Sequence, residues 1–146
     1  MPIDLKPLSR QGEIIFVVES DEVVRSALHF ILDDQDETYS FASLELAFAK
    51  AADRTPSIVL LGVGFVQSSG ERVLAEIAMR LPGTRILIVA NSVNDPIARA
   101  SLRSGAHDVL GKPISFDSVH GKVDALLDRR KISPTMLGLL PQSAAW

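Results

Sequence analysis

The chain reads as a doubly wound α/β domain, in which β-α units alternate about five times around a parallel sheet. Three observations predict this. Short continuous apolar runs recur at Ile14–Val18, 58–63 and 86–90. Unbroken runs of this kind mark strands buried on both faces of a parallel sheet. Stretches with apolar residues at helical spacing lie between them. The 146 residues, 47% apolar and 23% charged, suit one domain large enough to bury a core.

Residues 1–12 are polar, with two prolines and none of the apolar middle of a secretory signal, so they read as a flexible lead-in. The first strand is Ile14–Val18. A helix follows, with Val23, Val24, Ala27, Leu28 and Ile31 at helical spacing and Ser20 or Asp21 as its cap. Residues 38–41 are more polar and suit an edge strand. Leu44, Ala47, Phe48 and Ala51 predict the second helix, capped by Ser43. The third strand is 58–63, and the loop after it holds Ser68 and Ser69. Val73, Leu74, Ile77 and Leu81 form the next helical stripe, stopped by Pro82 and Gly83. The fourth strand is 86–90.

The segment 95–104 has the faintest helical pattern but a well-marked start, with Asp95 as cap and Pro96 at the first helical position. Gly105 ends it. Val109 and Leu110 mark a fifth strand. Phe116, Val119, Val123, Leu126 and Leu127 form the clearest helical stripe, capped by Ser115. The domain is expected to run over 13–131. Residues 132–146 read as a tail, either without fixed structure or a docking segment anchored by Met136, Leu137, Leu139, Leu140 and Trp146. Alternating β and α elements imply parallel strands joined by right-handed crossovers.

Composition narrows the function. There are no cysteines, which excludes disulfides and thiolate metal sites. The net charge of −3 argues against an extended face for nucleic acid or membrane. No basic stripe and no helix-turn-helix follows Arg130, so direct DNA reading is not expected. No apolar run is long enough to span a bilayer, and a cytoplasmic location is expected. His29, His107 and His120 have no metal-ligand spacing.

In an open parallel sheet the functional crevice lies beyond the carboxyl ends of the strands. There the sequence places Glu19, Ser20 and Asp21, then Gly62, Ala90, and finally Lys112 with Pro113. The run VVESDEVVR at 17–25 resembles the opening of response-regulator receiver domains. PSIVLLGVG at 56–64, followed by Gly70, is similar to the receiver segment that carries the phosphoacceptor. GAHDVLGKP at 105–113 is similar to the last receiver strand with its Lys-Pro pair. The resemblance spans about 13–130. It implies the flavodoxin-like receiver fold with strand order 2-1-3-4-5, and a cis bond before Pro113.

The resemblance also shows what is missing. A working receiver has an acidic pair after the first strand, an aspartate ending the third, a Ser or Thr ending the fourth, and a lysine. The aspartate is a carboxylate nucleophile. The acids hold Mg²⁺, and the metal and lysine offset charge on the phosphoryl group. Here Glu19 keeps one acid and Ser20 replaces the other. Gly62 stands at the phosphoacceptor position and Ala90 at the switch hydroxyl, while Val109 replaces the switch aromatic. Lys112 and Pro113 match. The pocket is near neutral, with Lys112 expected to pair with Glu19, and Mg²⁺ binding is expected to be weak or absent. Only Glu19 and Asp21 remain as acids to attract a metal, and Asp21 is expected to face outward at the start of the first helix.

These readings imply a degenerate receiver of two-component signalling. It would act through protein contact rather than catalysis, with a histidine kinase or another regulator as partner. A homodimer through the 95–130 face is a further expected contact. Two alternatives stay open: a regulator phosphorylated at Glu19, Asp21 or a loop serine, and a small-ligand or cofactor binder. Against the latter, the acids after the first strand would repel a phosphate.

Overall fold

The computed structural model describes residues 12–129. The expectations placed on 1–11 and 130–146, including the tail anchors, lie outside the described residues. The elements alternate as β1 (Ile14–Val18), α1 (Glu22–Leu32), β2 (Glu37–Phe41), α2 (Leu44–Ala51), β3 (Ile58–Gly62), α3 (Val63–Ser69), α4 (Arg72–Arg80), β4 (Arg85–Ala90), α5 (Pro96–Ser101), β5 (Asp108–Gly111) and α6 (Phe116–Leu126). Every strand pair is parallel, in the order β2-β1-β3-β4-β5.

Side chains alternate across the sheet, as the two-residue strand period requires. Phe16, Val18, Val59, Leu61, Ile86 and Ile88 point to one layer, where Ala47, Val66, Leu74, Ile77 and Ala98 cover them. Ile15, Val17, Leu60, Leu87 and Val89 point to the other, under Leu28, Ile31, Val119 and Val123 of α1 and α6. The central strands are therefore apolar along almost their whole length, Arg85 at the exposed start of β4 excepted, because each face meets a helix layer. The edge strand β2 is only partly buried.

Caps set where the helices begin. Asp21 Oδ1 accepts from the Val23 and Val24 amides and opens α1. Ser43 opens α2 and Asp95 opens α5 with Pro96 in its first turn, while Ser115 forms a reciprocal capping box with Ser118 on α6. Gly83 and Gly105 take left-handed φ values of 88° and 123°, which supply the turns after α4 and α5.

Some expectations need correction. The third strand stops at Gly62, and Val63 begins a helix, α3, that takes Ser68 and Ser69 out of the expected loop. The fifth strand is longer than expected, with Asp108 and Gly111 paired to β4. Val23 and Phe116 do not join the core; they are 79% and 49% exposed. On α1 the buried stripe is Leu28, Ile31 and Leu32 with Val24 packed beside it, and at 100° per residue Val23 falls on the opposite side.

Candidate functional site

The carboxyl ends of β1, β3, β4 and β5 lie side by side, because the parallel strands end at nearly the same level. Adjacent strands thereby bring together residues distant in sequence. Gly62 is in register with Val89, and Ala90 with Gly111. Glu19 follows β1 directly, its amide donating to Phe41 O of β2.

The sharpest local feature is the contact between Glu19 and Gly62. A Cβ at residue 62 would lie 2.6 Å from Glu19 Oε1 and 3.0 Å from its carboxyl carbon. That is too close for a real methyl group, so the Glu19 carboxylate fills the space a side chain at 62 would need. Gly62 has φ −62° and ψ 136°, ordinary extended backbone. The close approach at Gly62 is thus one of space and not of conformation, and a side chain there would have to displace the end of the Glu19 side chain. The other Glu19 oxygen, Oε2, accepts from the Asp21 amide at 2.9 Å.

Asp21 does not join the crevice. Its carboxylate is spent on the N-terminus of α1, where the orphan amides and the helix dipole favour an acid. Ser20 is exposed. Arg25 reaches back along α1 and donates to Glu19 O at 2.7 Å, which holds the β1–α1 corner. Ala90 and Val109 are buried in the core, with no hydroxyl or ring at those places.

Lys112 corrects the sequence reading. It is exposed, and among the described residues it makes no ion pair with Glu19. A solvated ammonium needs no carboxylate partner, and Glu19 is already bonded to the Asp21 amide. The Lys112–Pro113 peptide is cis. Beside it, Gly111 forms a second close approach. A Cβ there would lie 2.7 Å from Val93 N and 3.0 Å from its Cγ1, so the loop between β4 and α5 sits directly against β5.

A family model for the response regulator receiver domain matches residues 15–124. The chain belongs to that family. It is 26% identical over 108 residues to the transcriptional regulatory protein LnrK of Bacillus subtilis, which covers 72% of this chain and 49% of that protein. It is likewise 26% identical over 124 residues to the transcriptional regulatory protein CreB of Escherichia coli, 83% of this chain and 53% of that protein. The chain thus spans about half the length of these curated relatives. Among solved structures, a response regulator from Thermotoga maritima superposes with a TM-score of 0.72 at 19% identity, covering 80% of this chain and 98% of that one. The beryllofluoride-activated DrrB receiver domain gives 0.69 at 20% identity, covering 81% of this chain and 99% of that one. At such identities these likenesses show the fold alone.

Receiver chemistry therefore has to be read from this receiver's own residues. Of the positions named from the sequence, Glu19, Ser20, Gly62, Ala90 and Lys112 lie at the strand ends, while the Asp21 carboxylate is turned to the start of α1. Among the described residues no three His, Asp, Glu or Cys side chains lie together as a metal group, and no helix is long and apolar enough to cross a membrane.

A second feature escaped the sequence reading. A groove of about 580 Å³ runs along the outer side of α1, lined by Arg25, His29, Phe30, Asp33, Asp34 and Phe116. Phe30 is 72% exposed, and its ring meets Phe116 edge-on at 6.0 Å. His29 Nδ1 and Ser40 Oγ lie 2.6 Å apart across its floor. Phe30 lies off the helical stripe named from the sequence, and nothing in that reading placed it beside Phe116.

Proposed function

We propose that this receiver takes no phosphoryl group at the end of β3 and acts by binding protein partners rather than by catalysis. One observation carries the reading: the acceptor position is Gly62, and the Glu19 carboxylate already fills the space where an acceptor side chain would stand. A phosphoryl acceptor needs a nucleophilic oxygen with open approach. Gly62 supplies none. Leu61 and Val63, its neighbours, supply none either.

The donor set does not suit the divalent cation that receivers use. Mg²⁺ needs several hard oxygen ligands in near-octahedral array. After β1 and β3, Glu19 is the one carboxylate against Gly62; residue 20 is a serine and the Asp21 carboxylate caps α1.

Receiver domains work in contact with histidine kinases or other regulators, and this one has apolar surface to offer. Phe30 and Phe116 stand exposed together beside the groove on α1, and aromatic side chains in such a position are typical contact anchors. Phe116 belongs to the 95–130 face expected from the sequence; Phe30 extends that surface onto α1.

The test is the intact mass of the protein after incubation with Mg²⁺ and acetyl phosphate. The expected result is an unchanged mass. A labile added phosphoryl group would overturn the proposal, and peptide mapping would then decide among Glu19, Asp21, Ser68 and Ser69.

A further inference from the structure

Six of the glycines among the described residues either turn the chain through a positive φ or stand in open space. Gly62 and Gly111 do neither. Both have backbone conformations open to any residue, yet both are tightly overlain, one by Glu19 and the other by Val93. They sit at the carboxyl ends of β3 and β5, on either side of β4. At these two positions a side chain would have to displace a neighbour that now lies against the backbone.

Each contact lies next to the start of a helix. Gly62 is the residue before α3. Val93 lies in the loop that leads into α5. That loop is a compact turn, with the Asn94 amide donating to Ser92 Oγ and the Asp95 amide to Ser92 O. Asp95 then caps α5 through the Ile97 and Ala98 amides. Val93 is 43% exposed, so its contact with Gly111 is not the result of core burial. The helices α3 and α5 in turn pack against each other. The path from Gly62 through α3 and α5 to Val93 and Gly111 is thus a continuous set of contacts.

We propose that Gly62 and Gly111 form a two-point clamp that fixes α3 and α5 in a single arrangement without any phosphoryl group. The carboxylate of Glu19 is the insert at one point, and the backbone of Val93 is the insert at the other. This rests on the reading of the chain as a receiver that takes no phosphate, and it adds how such a receiver keeps one conformation. Gly111 is a positioning residue: a methyl group there must push the β4–α5 loop away, because the atom it meets first is a backbone nitrogen that cannot rotate aside. At Gly62 the neighbour is a side chain, and shortening it restores room.

The experiment uses the full chain and amide NMR. Gly111→Ala is expected to shift the resonances of residues 92–101 and, through α5, those of α3. Gly62→Ala is expected to shift α3 and, through it, α5. Glu19→Ala, which removes the insert at Gly62, is expected to shift the same α3 and α5 resonances. Gly64→Ala is the control, since a Cβ there meets nothing within 4 Å. Should Gly111→Ala not fold, Val93→Gly tests the same point by removing the Cγ1 that lies against Gly111 and loosening the loop that carries the backbone insert. It should shift α5 in the same residues.

The clamp is overturned if Gly111→Ala or Val93→Gly leaves α5 where it was, or if Gly62→Ala perturbs α3 alone. The functional reading fails separately, by the mass test on the wild-type chain. A chain that takes no phosphoryl group but shows uncoupled helices would sink the clamp and leave that reading standing.

Discussion

At the scale of single residues, exposure decides what each charged group is worth. Lys112 stands in solvent without an ion pair among the described residues. Replacing it by alanine is expected to change stability by no more than about 0.5 kcal/mol, the usual range for a surface site. Urea denaturation of Lys112→Ala checks this. A loss of about 3 kcal/mol would mean that the lysine is paired and buried in solution.

His107 gives the residue scale a pH dependence. Its Nδ1 accepts a hydrogen bond from the Ile86 amide at 3.0 Å, which requires that nitrogen to be unprotonated. Burial lowers its pKa below the usual 6.5, with Arg85 nearby adding to the effect. The unfolded chain therefore binds a proton more readily than the folded one. Stability from this group is whole above about pH 6.5 and falls as the pH drops through the folded value. The denaturation midpoint of the wild type is expected to fall between pH 7 and pH 5 by more than that of His107→Ala. Equal falls would assign the acid sensitivity to other groups.

At the scale of elements, the helices are held by caps and by a few charged ties. Arg129, beyond the end of α6, makes two bonds to the buried carboxylate of Asp36 at 2.7 and 2.6 Å and a third to Asp124. These carboxylates hold the guanidinium pKa above its ordinary value, against the cost of its burial. The tie joins the end of α6 to the turn between α1 and β2. Arg129→Ala leaves Asp36 buried without that partner and is expected to cost about 3 kcal/mol by urea denaturation. In contrast, Gly121 inside α6 has open space around its Cβ position. Gly121→Ala is expected to raise stability by about 0.5–1 kcal/mol, since alanine suits a helix interior better than glycine. A decrease would mean that something outside the described residues covers this position.

At the scale of the whole molecule, the receiver scaffold is kept while its strand-end pocket is filled. Restoring acids should therefore not succeed one residue at a time. Gly62→Asp alone collides with the Glu19 carboxylate. It is expected to bind Mg²⁺ no better than the wild type in calorimetry. Gly62→Asp combined with Glu19→Asp and Ser20→Asp frees that space and supplies three carboxylates, and is expected to gain Mg²⁺ affinity. If the single variant binds as well as the triple one, Glu19 does not occupy the pocket.

Much of this was legible in the sequence because it depends on local rules. Continuous apolar runs gave β1, β3 and β4, and the caps Asp21, Ser43, Asp95 and Ser115 marked helix starts that the structure reproduces. The strand order and the gathering of Glu19, Gly62, Ala90 and Lys112 at one end follow from the parallel alternation together with the receiver resemblance. Helix α3 was missed because its seven residues carry no side-chain cap and barely two turns of pattern. Phe30 was missed because periodicity states which residues share a face, not which face the core will take.

By itself, then, the sequence determined the layered parallel sheet, the helix starts marked by side-chain caps and the glycine at position 62, since periodicity, capping chemistry and residue identity are properties of the chain alone. Only the tertiary structure decided that Glu19 turns toward Gly62 and away from Lys112, and that Val93 rests on Gly111. Those contacts join residues 43 and 18 positions apart, through the register of neighbouring strands and the path of a loop. No local pattern encodes a distance across the sheet; it is fixed when the strands pair and the helices pack over them.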